Sequence, residues 1–564
     1  MKKNNLNKLK NKFNNFNVDG YIVPKNDNFF SEYVYLDRLK IISNFSGSAG
    51  MAIILKNKNF LFVDGRYTVQ AKMQSGKLFK IVEIHKHLPK KMLKNITLGF
   101  DPMLFTNSQL NFLFGDKIKL RAIKENLIDN IVGLKKTKLN PFYSLNEKIV
   151  GQNHKSKIKI VSNILKQKKA DFLYISAPEN VAWILNIRGS DVPFSPIPNC
   201  NLLLDKYKNI YLFSDRAKVR NLIKERKIKK NRILDLNNLN EFIKTLSGKN
   251  VMVDKKTCSI YVENILSSKF KIINRDDPCY LLKSIKNSTE IENIKNSHVV
   301  DGAALTKFLI WIKNTDKKIS EIYAGKKLET FRKKNKNYLF PSFDTIAGSG
   351  PNSAIIHYKA TPATNRIIDK RNIFLCDSGG QYKYGTTDVT RTICFTKQPK
   401  SIRKFFTLVL KGHIAVVTSN LKPSIRGKDL DYRARYFLKK VKANYAHGTG
   451  HGVGFFSNVH EGPQSISKFN SVKLREGMVL SNEPGFYKEG HYGIRIENLI
   501  YIKKKNKKLF FENLTFAPID KDLIEYKMLT KKEKDYLFDY HLKVYSLISK
   551  YLSKKEKKWL IKNL

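Results

Sequence analysis

Five residues able to do metal chemistry recur along one stretch of this 564-residue chain. Asp377 stands in CDSGG, Asp388 in TTDVTRT, His451 in HGTGHGVG, Glu483 in SNEPGFY and Glu497 in GIRIENL. They follow one another at intervals of 11, 63, 32 and 14 residues. Four carboxylates and one imidazole make an oxygen-rich donor set, which suits Mn²⁺, Co²⁺, Fe²⁺ or Zn²⁺ better than a thiolate-seeking structural site. About four negative charges are too many for one divalent ion and right for two. Two ions about 3.5–4 Å apart can share a hydroxide and act as a hydrolytic centre. Singly, each residue has a plainer reading: an Asp beside Gly-Gly is usually a turn residue, and a Glu before Pro a strand end. The set, in this order, is what points to chemistry.

The neighbouring residues say how these side chains are brought together. Asp377 closes the apolar run Ile373-Phe374-Leu375-Cys376. Gly379-Gly380 can reverse the chain there, so that a short loop returns Asp388 beside Asp377. Ile494-Arg495-Ile496-Glu497 alternates, so one strand would put Arg495 and Glu497 on the same face. His447 and His451 are four apart, as in a helical HExxH zinc site, but Gly448 stands where that site needs a glutamate. Gly448, Gly450, Gly452 and Gly454 would each cost a helix about 1 kcal/mol. The segment therefore reads as loop or extended, and the two histidines need not both bind metal. Leu408–Ser419 and Leu430–Val441 read as helices between the two halves of the cluster. Ile355-Ile356-His357-Tyr358 reads as a short strand ending in a histidine.

Helices frame this stretch. Thr289 with Glu292 reads as a capping box, followed by Ile291, Ile294, His298, Leu305 and Leu309 at helical spacing. Thr530 with Glu533 reads as a second box. The helix after it presents Leu537, Tyr540, His541, Val544, Leu547, Ile548 and Tyr551 on one face, to be buried against the preceding domain or a second subunit.

Upstream, Gly20–Pro24 reads as a buried strand, and Ala52–Leu55 with Leu61–Val63 as a hairpin. Asn44–Gly50 is a glycine-rich turn, and Asp64-Gly65-Arg66-Tyr67 is a turn that would expose Arg66. Asp171-Phe172-Leu173-Tyr174-Ile175 echoes Asp19-Gly20-Tyr21-Ile22-Val23, and Asn186-Ile187-Arg188-Gly189-Ser190 echoes Asn44-Phe45-Ser46-Gly47-Ser48. The echo suggests a duplicated domain, with the polar stretch Lys135–Lys157 as linker.

Together these motifs resemble the metal-ligand signature of the pita-bread metallopeptidases. HGTGHGVG with NVHEGP resembles the aminopeptidase P branch. The likeness is strong from His357 to Glu497 and weaker in the second domain. It implies an α/β and α+β architecture with two related creatinase-like domains at 1–145 and 150–283. A pita-bread catalytic domain at 284–504 and a C-terminal helical extension at 505–564 would follow. The implied activity is hydrolysis of the N-terminal Xaa-Pro bond by a hydroxide bridging two divalent ions, Mn²⁺ first, with Co²⁺, Zn²⁺ or Fe²⁺ as alternatives. By the same resemblance, Asp388 and Glu497 bridge both ions, Asp377 serves one, and His451 with Glu483 serves the other. Glu483 shuttles a proton to the departing proline nitrogen, and His460 stabilises the carbonyl oxygen as it gains charge. His357 binds the carbonyl of the proline residue, and His447 lines the proline pocket. Arg495 orients the acidic groups, and Arg66 in DGRY sits where substrate can be reached. The expected partners are peptides with proline second, and a second copy of the chain in a homodimer.

A dedicated enzyme for this bond makes physical sense. Proline offers no N–H and fixes φ, so proteases that clamp the substrate backbone as a strand lose a hydrogen bond there. The bond can also be cis. The nearest rival is an Xaa-Pro dipeptidase (prolidase), whose metal ligands would be the same. Methionine aminopeptidases lack such upstream domains, and creatinase-like amidinohydrolases share the fold but not this ligand set. A non-enzymatic pita-bread protein, or a nucleic-acid-binding module, is the alternative from another class.

Composition bounds the rest. Hydrophobic residues at 42% and aromatics at 11% suffice for folded cores, and the length allows three or four domains. The net charge of +57 raises nucleic acid or an anionic membrane as partners. Lysine is nevertheless spread along the chain with asparagine and isoleucine, and no nucleic-acid-binding motif occurs. No specific nucleic acid is expected. The five cysteines are scattered, without CxxC, and odd in number, which argues against a disulfide framework and for a reducing compartment. The first residues are basic without an apolar core, so no secretory signal is read, and no apolar run is long enough to span a membrane. The expected location is the cytoplasm.

Overall fold

The computed structural model describes residues 2–133 and 140–564, in two compact units, 1–280 and 281–564.

The first unit holds two six-stranded sheets of the same design. In the first, Gly20–Pro24 is central, antiparallel to Met51–Leu55, which pairs antiparallel with Asn59–Val63. On its other side Gly20–Pro24 runs parallel to Thr97–Phe100. In the second, Phe172–Ile175 takes the central place, antiparallel to Asn201–Asp205 and parallel to Asn250–Val253. Parallel strands close both edges of both sheets. The sequence echo thus falls on equivalent central strands. Its second half falls on equivalent helix ends: Asn44 ends Arg38–Ser43 and Asn186 ends Pro178–Leu185, both left-handed (φ 72° and 51°). Asparagine tolerates this conformation better than most residues.

Of the stretch read as a linker, residues 135–139 lie outside the described residues. The remainder is folded: Tyr143–Ser144 pairs with Ile187–Arg188, and a helix runs over His154–Gln167.

The second unit opens on the long helix Ser288–Asn314. Its capping box is Asn287 with Glu290, two residues before the expected one, because the Asn287 side chain accepts the Glu290 N–H. Three antiparallel strands follow, with Phe374–Ser378 between Ile346–Ser349 and Val389–Ile393. The chain does not turn at Gly379-Gly380. It continues into Gly380–Tyr382 and reverses before Gly385–Thr386. Ile355–Tyr358 is not a strand but a turn after the short 3₁₀ helix Gly350–Ala354. A five-stranded sheet carries Gly450–Gly452, Val479–Asn482 and Asn498–Lys505 at its centre.

Helices Lys400–Val417 and Gly427–Lys439 connect the two halves. The first buries Phe406, Val409, Leu410 and Ile414 in one core with Leu537, Tyr540, Val544 and Ile548 of the C-terminal helix Lys531–Ile548. Each side chain so buried contributes roughly 1.5–3 kcal/mol. The expected Thr530–Glu533 box caps that helix. Its apolar face is buried within this unit, with Leu547 half-buried and Tyr551 partly exposed at 38%. Residues 505–564, read as helical, begin instead with the strand Lys508–Asn513, paired to Asn498–Lys505.

Candidate metal centre

The antiparallel pair Phe374–Ser378 and Val389–Ile393 brings Asp377 opposite Thr390, so Asp388 lies one step beyond the paired ends. From the other half, Gly450–Gly452 carries His451, and Glu483 follows the strand Val479–Asn482. Gly450 is required here: a Cβ would stand 1.9 Å from the Ser481 carbonyl oxygen. The His451 N–H donates to Ser481 Oγ (2.9 Å) and the Glu483 N–H to the Thr449 carbonyl (2.8 Å), which fixes both residues on one pair of segments.

Ile494–Glu497 is not one alternating strand. Tyr492–Arg495 pairs with Gly485–Lys488 in a hairpin, the ladder breaks at Ile496-Glu497, and Asn498 begins the central sheet. The break lets Glu497 register on Thr390: its N–H donates to the Thr390 carbonyl (3.2 Å), and Thr390 Oγ1 donates to Glu497 Oε2 (2.8 Å).

These elements draw the five residues together. Ligand atoms of Asp388, His451 and Glu497 lie within 4.8 Å of one another. His451 Nε2 is 3.4 Å from Asp388 Oδ2 and 3.6 Å from Glu483 Oε1. His451 Nδ1 faces the Gly452 carbonyl at 2.9 Å, which leaves Nε2 as the nitrogen turned toward the carboxylates. Asp377 joins through Arg495, whose Nη2 donates to Oδ2 at 2.6 Å. No donor among the described residues reaches Asp377 Oδ1 or Glu497 Oε1, although both are buried. Burial pushes Asp388 and Glu497 well above the usual carboxylate range, reinforced at both by Asp377 and Glu483 and at Glu497 also by Asp388. Glu483 is also raised, by burial first, with His451 and Arg495 opposing. Buried acceptors without donors, crowded with like charges beside one imidazole, fit divalent cations.

The other candidates are distributed as follows. His460 packs edge-on against His451, with ring centroids 4.3 Å apart. His447 is not part of the carboxylate cluster. Its Nδ1 faces the Gly448 carbonyl (2.7 Å), and its Nε2 accepts from the Tyr487 hydroxyl (2.9 Å). That hydroxyl in turn accepts from Arg495 Nη1 at 2.7 Å. Half-buried His357 follows Ile356, whose carbonyl accepts from Arg495 at 3.4 Å. Arg66 lies in the first unit, forked onto Asp64 at 2.7 and 3.0 Å.

Several residues of the site have no sequence signal as strong as that of the five cluster residues. Thr390 accepts from Arg495 Nε (3.1 Å) while donating to Glu497. His413, on Lys400–Val417, donates from Nδ1 to the Asn482 carbonyl (3.0 Å), and Asn482 returns a bond to the His413 carbonyl (2.9 Å). This clasps the residue before Glu483. Burial, then Arg391, pushes the His413 pKa down to about 3, so it is neutral there. Asp431 accepts from Thr449 Oγ1 (2.7 Å) and from Arg435 (2.8 Å), steadying the HGTGH loop. Thr390 and Tyr487 do lie within the motifs TTDVTRT and SNEPGFY. His413 sits on an ordinary amphipathic helix, which gives no hint of its partner. The five cysteines are all buried and free. Among the described residues, no helix is long and apolar enough to cross a membrane.

The chain can now be set beside known proteins. Metallopeptidase family M24 matches residues 292–504, and the C-terminal region of that family matches 507–564. The creatinase/prolidase N-terminal domain matches twice, at 5–123 and 133–290. A probable Xaa-Pro aminopeptidase P from Laccaria bicolor is 36% identical over 96% of this chain and 90% of its own. Xaa-Pro aminopeptidase 1 from Dictyostelium discoideum is 34% identical over 96% and 93%. Among solved structures, an X-prolyl aminopeptidase from Caenorhabditis elegans, described as a cytosolic enzyme with a di-nuclear active site, superposes with a TM-score of 0.90. It is 30% identical, over 100% of this chain and 99% of its own. A prolidase from Pyrococcus furiosus reaches a TM-score of 0.51 at 26% identity. It spans 98% of itself but only 63% of this chain.

Proposed function

Because the chain belongs to the Xaa-Pro aminopeptidase P branch of metallopeptidase family M24, we propose that it removes the first residue from peptides whose second residue is proline. One observation carries the metal reading: Asp377 Oδ1 and Glu497 Oε1 are buried without donors beside Asp388, His451 and Glu483. These five residues would hold two divalent ions, Mn²⁺ first and Co²⁺, Zn²⁺ or Fe²⁺ otherwise. When bound, such ions would supply a hydroxide nucleophile from water near neutral pH and would polarise the carbonyl under attack.

The protein's own groups do the rest. Glu483, with its raised affinity for a proton, takes a proton and passes it to the departing proline nitrogen. His460, packed on His451, donates to the carbonyl oxygen as charge develops there. His357 binds the carbonyl of the proline residue. His447, held between the Gly448 carbonyl and the Tyr487 hydroxyl, lines the proline pocket. Arg495 holds Asp377 in place, and Arg66 is a further substrate contact. The enzyme acts in the cytoplasm as a homodimer, which sedimentation would check.

The test is hydrolysis of Arg-Pro-Pro by metal-free and Mn²⁺-loaded protein, followed by mass spectrometry. Free arginine released only with metal is the expected result. A tripeptide left intact beside a hydrolysed Xaa-Pro dipeptide would replace this reading with a prolidase. The prolidase match speaks against that outcome, since it leaves over a third of this chain unaligned.

A further inference from the structure

Arg391 is 1% exposed and makes six hydrogen bonds, none of them to a carboxylate. Nη1 donates to the carbonyls of Thr390 (2.9 Å) and Glu497 (2.6 Å). Nε donates to the Pro518 carbonyl (3.0 Å). Nη2 donates to the Ala517 carbonyl (2.8 Å), Asn498 Oδ1 (2.9 Å) and the Tyr540 hydroxyl (2.9 Å). Tyr540 is itself buried, and its hydroxyl donates to the Ala517 carbonyl at 2.8 Å.

A guanidinium withdrawn from water without a carboxylate partner is costly. Its rigid fork is well suited to fixing several carbonyls at once. The partners fall into two groups. Thr390, Glu497 and Asn498 belong to the carboxylate cluster and its edge. Ala517, Pro518 and Tyr540 belong to the C-terminal region. The first group is the telling one. Thr390 holds Glu497 by its hydroxyl and its carbonyl, and Arg391 pins the carbonyls of both. Gly302 on the long helix admits this arrangement, since a Cβ there would meet the Phe516 carbonyl oxygen at 2.1 Å.

We propose that Arg391 and Tyr540 are positioning residues through which the C-terminal helix Lys531–Ile548 fixes Glu497 for metal binding. The C-terminal region is then part of the metal centre's scaffold rather than an appendage. The inference rests on the reading of Glu497 as a metal ligand. Neither residue touches substrate or the reacting atoms. Arg391 acts through the carbonyls of Thr390 and Glu497, and Tyr540 acts through Arg391 and the Asn498 side chain.

The test is a Mn²⁺ titration of metal-free, full-length protein by calorimetry, with melting temperatures recorded in parallel with and without Mn²⁺. Tyr540→Phe keeps the ring and its packing but removes the hydroxyl. It should raise the half-saturating Mn²⁺ concentration about tenfold or more, the usual effect of removing a support behind a ligand, and shrink the metal-induced rise in melting temperature. Arg391→Lys, which keeps the charge but loses the fork, should act in the same direction. Val544→Ala on the same helix removes packing alone. It should lower both melting temperatures equally and leave the titration midpoint in place. A wild-type midpoint in Tyr540→Phe and Arg391→Lys would overturn the proposal. A wild-type protein that binds no Mn²⁺, Co²⁺ or Zn²⁺ would instead overturn the metal-centre reading beneath it, and this proposal with it.

Discussion

The guanidinium of Arg495 stands 2.6 Å from Oδ2 of Asp377 and occupies that oxygen, while Oδ1 of the same carboxylate has no donor. One end of the side chain is thus fixed and the other left for a cation. Arg495 bonds Thr390 and Tyr487 at the same time, which a lysine cannot reproduce. Arg495→Lys should therefore lower kcat/KM about 10–100-fold and weaken Mn²⁺ binding with it. Wild-type values of both would show that Asp377 needs no such support.

Glu483 is the carboxylate proposed to carry the proton in the chemical step. Ser481 Oγ lies 3.2 Å from its Oε1 and His451 Nε2 lies 3.6 Å away, so an amide of the same shape can be accommodated. Glu483→Gln removes the proton carrier without emptying the space. Turnover of Arg-Pro-Pro should fall by about 10³-fold or more, with the circular dichroism spectrum and melting profile kept. Near-normal turnover would move the proton-transfer role to another group.

The imidazole of His447 offers a sharper distinction, because its spacing from His451 invites a zinc-site reading. Both of its nitrogens face protein atoms, the Gly448 carbonyl and the Tyr487 hydroxyl. His447→Ala should retain the wild-type metal content by mass spectrometry while lowering kcat/KM for Xaa-Pro peptides through a raised KM. Loss of one metal equivalent per chain would make it a ligand after all.

How far the sequence carried follows from the range of each interaction. Four of the five cluster residues lie in short motifs whose glycines or prolines mark a backbone that must approach something closely, as Gly450 does Ser481, while Asp388 in TTDVTRT stood out only by its place in the series. The duplicated sheet was legible because Asn44 and Asn186 both end helices in a conformation that few residues tolerate. Alternation misled at Ile494–Glu497: a period of two is shared by one strand and by two strands with a break between them, and only tertiary pairing separates these. The pairs Arg391–Tyr540 and His413–Asn482 lie 149 and 69 residues apart. Nothing local in TTDVTRT or in an amphipathic helix names such distant partners.

His541 links the C-terminal helix to pH. It is buried, and its Nε2 accepts the Ile519 N–H at 3.2 Å, a bond that protonation would break. Burial, then Arg391 and Lys521, pushes its pKa down to about 4. In the unfolded chain the ordinary value near 6.5 returns. Between these values the unfolded state binds a proton that the folded state refuses, so stability rises with pH. The contribution is fully present above about pH 6.5 and is lost as pH falls through about 4, worth roughly 3 kcal/mol over the window. His413, with its pKa near 3, adds a loss of the same sign. His541→Gln keeps an acceptor for Ile519 but cannot titrate. Urea unfolding of metal-free protein should therefore show a shallower fall in stability for this variant than for wild type over that interval. Parallel curves would mean that His541 is protonated at little cost, and that the acid sensitivity of this unit resides elsewhere.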